Sequence, residues 1–163
     1  MVLEIPISDA NVLALGRATV YFSLLESNLR MLVGVLISLS NEQSEARVGR
    51  IVTAQLGFRA LSDLTASLIH YRSQDENQIK TLLDILDRAD KATKSRNDMI
   101  HSIWAVGEDK DSVTRMKDKA TSRKKGYEFE AVPMTTSDIE AVATEIAEAA
   151  LAVETFYIGL HTP

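Results

Sequence analysis

The residues best suited to chemistry lie in one short run, Ser95-Arg96-Asn97-Asp98-Met99-Ile100-His101-Ser102-Ile103-Trp104. Asn97 and His101 are four apart, so on a helix they share one face. Arg96 occupies a position on an apolar stripe that runs 82, 86, 89, 93, 96, 100, 103. A guanidinium keeps its charge at physiological pH, so on such a stripe it needs an acidic partner or a bound anion. Arg96 is long enough to reach the patch that Asn97 and His101 share. An anion stabiliser, a neutral hydrogen-bonding amide and a group that titrates near neutrality would then converge, a set that suits phosphoryl chemistry. A structural reading stands beside it. Arg96 would pair with Glu26, which borders the stripe of the first helix, and His101 would be a hydrogen-bonded core histidine.

Other chemistries have little to stand on. The 163 residues contain no cysteine, which excludes disulfides, thiolate metal sites and a cysteine nucleophile. The other two histidines, His70 and His161, fall near segment ends, and no histidine pair has metal-site spacing on a helix. The sequence has no HExxH, no phosphate-binding GxxxxGK[ST], no GxGxxG and no GxSxG. Neither a metal nor a cofactor is expected.

The elements that must position this run are read from its surroundings. A hydrophobic content of 45% suits a globular domain, and three prolines, Pro6, Pro133 and Pro163, sit near segment ends. Ser8, Ser40 with Gln43, Ser73 with Glu76, and Ser137 with Glu140 mark four helix starts. The first helix, about 9–39, carries Leu15, Ala18, Phe22, Leu25, Leu29, Leu32, Leu36 and Leu39 at helical spacing. The second, about 44–71, is striped by Val48, Ile51, Phe58, Leu61, Leu64 and Leu68. The third covers about 74–104 and the fourth about 137–160. The expected fold is therefore all-α, a single domain over 1–163 built as an antiparallel four-helix bundle. Between helices three and four, about 105–133, alternation in Val113–Lys117 and Tyr127–Val132 predicts a β-hairpin or an extended flap.

That flap carries most of the local positive charge. Arg115, Lys117, Lys119, Arg123, Lys124 and Lys125 face one acid, Asp118, within eleven residues, on a chain of net charge −5. A basic flap on an acidic protein suits contact with a phosphate backbone, and Tyr127 and Phe129 offer a stacking surface for an unpaired base. A solvated loop that keeps an edge strand from pairing, or a docking place for an acidic protein, reads equally well.

The Arg96–His101 segment, late in the third helix of a small bundle, resembles the Arg-x4–6-His motif of the HEPN superfamily (higher eukaryotes and prokaryotes nucleotide-binding). Tyr21-Phe22-Ser23-Leu24-Leu25-Glu26 in the first helix, the polar Asn97 after the motif Arg, and Trp104 three residues after the His are similar to small bacterial members. Ser102 departs from the Gly that often follows the His in such sequences.

The resemblance implies a helical bundle that dimerises and brings two motifs together across a two-fold cleft. It further implies a metal-independent endoribonuclease of toxin or phage-defence type, with RNA or a nucleotide and an antitoxin protein as expected partners. His101 would be the general acid/base, Arg96 would bind the scissile phosphate, Asn97 would orient either the substrate or the His, and Glu26 would support them. Non-catalytic members imply an alternative, a nucleotide- or RNA-binding or protein-interaction module. MVLEIPISDA has no basic stretch ahead of an apolar run. The longest apolar run, Met31 to Leu39, is far short of the ~20 residues that span a bilayer. A cytoplasmic protein without a membrane partner is expected.

Overall fold

Long Pro-free stretches with helical periodicity give five helices and a small sheet in the computed structural model, which describes residues 6–38, 43–109, 112–121 and 126–160. The order is α1 (Asp9–Ile37), α2 (Gln43–Thr53), α3 (Phe58–Arg72), α4 (Glu76–Ile100), β1 (Ile103–Val106), β2 (Ser112–Thr121), β3 (Gly126–Thr135) and α5 (Thr136–Gly159). The strands form one antiparallel sheet in the order β1-β2-β3. The expected all-α antiparallel four-helix bundle is thereby overturned, and two local causes explain the difference.

The first is a break inside the expected second helix. After Thr53 the backbone tightens, with Leu56 N donating to Thr53 O at 3.0 Å, and Gly57 takes an extended conformation before α3 begins at Phe58. α2 also shows the opposite face to the one expected: Val48 and Ile51 are exposed, and Gly49 is buried. A Cβ on Gly49 would lie 2.3 Å from the Cα of Gly34, so α2 meets α1 backbone to backbone. Only a residue without a side chain fits that approach. The second cause is that the expected third helix stops at Ile100. Ile103-Trp104-Ala105-Val106, a β-branched and aromatic run, leaves the helix to pair with Val113–Met116.

Helix ends also fall two residues from where the serines placed them. Asp75 Oδ1 accepts from the amides of Asn77 (2.9 Å) and Gln78 (3.3 Å), so Asp75 caps α4, while Ser73 closes α3. At α5, Thr135 and Asp138 form the reciprocal pair. Thr135 N donates to Asp138 Oδ2 at 2.7 Å and Asp138 N to Thr135 Oγ1 at 3.2 Å. Ser8 Oγ does accept from the amide of Asn11, at 3.3 Å. The expected cap at Ser40 lies outside the described residues.

The chain divides into two compact units, both interleaved in sequence. The first combines the residues up to Val20 with Lys94–Glu145. In it α1 and α5 run side by side in the same direction, through Thr136 Oγ1 to Asn11 Oδ1 (2.9 Å) and Arg17 to Glu140 (2.6 Å). Its buried apolar residues include Ala14, Ala18, Met99, Val113, Ile139 and Ala143. The second combines Tyr21–Thr93 with the residues from Ile146 onward. Leu25, Leu29, Leu32, Leu61, Ile69, Leu82, Ile146 and Val153 are almost wholly buried there. Arg72 caps the end of α1 by donating to the carbonyls of Leu36 (2.6 Å), Ile37 (2.7 Å) and Ser38 (2.9 Å).

α1 is long and apolar enough to cross a membrane by length and composition, and 44% of its most apolar stretch is buried inside the protein. Buried core helices meet the same description.

Candidate functional site

The site occupies the first unit, where the last turn of α4 passes into β1 through only two residues, His101 and Ser102. The final carbonyls of a helix lack partners within it, and here those of Asn97, Asp98 and Met99 each find one. Asn97 O accepts from His101 N at 3.1 Å, and Met99 O from Ser102 N at 3.3 Å. Asp98 O accepts from the Ser102 hydroxyl. Trp104 Nε1, already in β1, donates back to Met99 O at 3.1 Å. The two-residue joint is held from both sides.

From that joint the His101 side chain projects into solvent, and its ring makes no hydrogen bond or ion pair among the described residues. Asn97 lies one turn before it. Arg96, half-buried, donates from Nη1 to Asn97 Oδ1 at 3.0 Å. A five-residue offset on a helix is a rotation of about 140°, whereas a four-residue offset is about 40°. Asn97 is therefore the side chain that brings the guanidinium toward the side of the helix from which His101 leaves. Chemically, the site offers an accessible imidazole, a carboxamide beside it and a cation held by that carboxamide.

Glu26, the remaining residue of the expected site, is on α1. It belongs to the second unit and faces Arg30, one turn along α1, at 3.9 Å.

The basic flap is organised by strand register. Residues 113, 115 and 117 of β2 point to one side of the sheet, with Trp104 of β1 and Glu128, Glu130 and Val132 of β3. On that side Arg115 pairs with Glu130 at 2.7 Å, the two side chains being 12% and 29% exposed. Lys117 pairs with Asp98 of α4 at 2.5 Å. Lys119 stands opposite Glu128 in the register. Arg123, Lys124 and Lys125 lie outside the described residues. The other side of the sheet carries Ile103, Met116, Asp118, Tyr127, Phe129 and Ala131. Tyr127 and Phe129 are exposed there, and the Tyr127 hydroxyl donates to Asp118 Oδ1 at 2.8 Å, which holds its phenol above the usual range.

Two features escaped the sequence reading. Lys117 and Arg115 have acidic partners, and the aromatic pair is on the opposite side of the hairpin from both. The second was present as a signal, since period-two alternation on two strands fixes the sides once the register is known. The first depended on Asp98 and Lys117, 19 residues apart, meeting where α4 and β2 come together.

No residues grouped as three or more His, Asp or Glu able to hold a metal occur among the described residues. In the second unit α4 and α5 line an open groove of about 440 Å³, with Ile85, Leu151, Ala152 and Phe156 among its apolar lining and Arg88 and Glu148 among its charged lining. No protein-family model, curated protein or solved structure matches the chain.

Proposed function

We propose that the chain is a metal-independent endoribonuclease of the HEPN type, acting as a homodimer in a toxin or phage-defence setting. The observation that carries this reading is the exposed ring of His101, unengaged among the described residues, one turn from Asn97, whose amide holds the Arg96 guanidinium. In this reading His101 moves the proton of the ribose 2′-OH as that oxygen attacks the adjacent phosphorus. Arg96 balances the charge that builds on the phosphate oxygens, and Asn97 orients the substrate or the imidazole. The bond from phosphorus to the 5′-oxygen breaks, that oxygen takes the proton back from the His101 imidazolium, and the products are a 2′,3′-cyclic phosphate and a free 5′-hydroxyl. The dimer rests on the resemblance of the Arg96–His101 motif to HEPN members, which bring two such motifs together across a two-fold cleft.

Cleavage of single-stranded and structured RNA in EDTA tests this, with Arg96→Ala and His101→Ala first shown to be folded by circular dichroism. Cutting by the wild type, loss in both variants and no turnover of DNA are expected. An inert wild type, tested as a stable dimer, removes the enzyme reading.

A second reading, a non-catalytic RNA-binding or protein-interaction module, draws on the ion pairs that occupy Arg115 and Lys117. RNA binding without cleavage separates it from the first.

A further inference from the structure

Lys117 has the charge of an RNA ligand and the position of something else. Its ammonium is 2.5 Å from Asp98 Oδ1, and its side chain is only 22% exposed. Asp98 is in the last turn of α4, three residues before His101, and its backbone carbonyl accepts from the Ser102 hydroxyl on the far side of His101. One residue thus joins β2 through its carboxylate and the two-residue joint through its carbonyl. Trp104 repeats the pattern from β1, reaching back to the carbonyl of Met99, which also accepts from Ser102 N. The exposed imidazole therefore leaves a backbone fixed at Asn97, Asp98 and Met99, while the ring itself is held by nothing among the described residues.

We infer that Lys117 and Asp98 form a clasp that positions His101, and that Lys117 is a positioning residue and not a contact to RNA. This inference rests on the ribonuclease reading for its catalytic consequence. An imidazole attached through a slack joint samples many directions, and a displacement of about 1 Å costs on the order of a hundredfold in a reaction that depends on alignment. Breaking the clasp is expected to lower turnover and leave substrate affinity in place.

The experiment compares wild type, Lys117→Gln, Asp98→Asn and the charge swap Asp98→Lys with Lys117→Asp, each shown by denaturant titration to be folded. Two quantities are read: kcat and KM for RNA, and hydrogen exchange at the His101 and Ser102 amides. Each single variant is expected to lose tenfold or more in kcat with KM within twofold, and to exchange those two amides at least tenfold faster. The swap is expected to recover both. A rise in KM alone identifies Lys117 as an RNA contact and overturns the inference, as does an unchanged kcat in a variant with fast-exchanging amides. A wild type that cuts no RNA removes the ribonuclease reading, and exchange then decides the clasp by itself. Unchanged exchange in the single variants refutes it, and faster exchange restored by the swap upholds it.

Discussion

Arg115 Nη2 lies 2.7 Å from Glu130 Oε1, diagonally across the hairpin, and the guanidinium side chain is only 12% exposed. A cation so placed is committed to its own sheet. Arg115→Ala leaves the Glu130 carboxylate without this partner at a largely covered position. A loss of about 1–3 kcal/mol in unfolding free energy is expected, measured by urea titration. The salt dependence of any RNA binding should stay as in wild type, because a neutralised cation releases no counterions from nucleic acid.

Gly49→Ala addresses the crossing of α1 and α2. Its new methyl group would stand 2.3 Å from the Cα of Gly34, which is backbone and has no rotamer to give. The helices must separate, and overpacking of this kind costs about 1–3 kcal/mol. Gly57→Ala is the control, since nothing lies within 4 Å of a Cβ there. A thermal melt in which both variants fall equally contradicts the close approach.

Arg72 satisfies three carbonyls at the end of α1. Arg72→Ala is expected to lower stability by about 2–3 kcal/mol, and Arg72→Lys by less, since one ammonium cannot reproduce the planar fork. Hydrogen exchange in the last turn of α1 reports the local part of this loss.

Asp138 gives a pH dependence with a defined sign. The amide and hydroxyl of Thr135 hold its carboxyl below the ordinary value of 3.8. A depressed folded-state value means that the unfolded chain takes up the proton first. The cap therefore adds stability above that ordinary value and loses it as pH falls through the folded one. Asp138→Asn should be less stable than wild type at pH 7, with the difference vanishing in strong acid. A gap independent of pH, followed by circular dichroism, argues against the carboxylate as its source.

The apolar stripe of α1 was plain in the sequence, because Leu25, Leu29, Leu32 and Leu36 all recur at helical spacing and all are buried. Periodicity failed at Val48 and Ile51, where the face turned inward is chosen by a glycine and not by the apolar side chains. It failed again at Ile103, which fitted a helical stripe yet lies in a strand and is 64% exposed. At the site, residue types pointed to Arg96, Asn97 and His101, and the contact between the first two is of the local kind that spacing can suggest. The pairing of Lys117 with Asp98 was not legible, because a charge run shows its sign and not its partners.

The interleaving of the two units bears on how the protein is made. Arg17 meets Glu140 across 123 residues, and Asn28 reaches the carbonyl of Ala150 across 122. Each unit thus joins an early stretch of chain to a late one, and such distant closures slow folding. During synthesis the first four helices leave the ribosome before α5 exists to cover them. Neither unit can close around a nascent chain that stops at β3, so shielding of those helices by a chaperone matters most in the interval before α5 emerges.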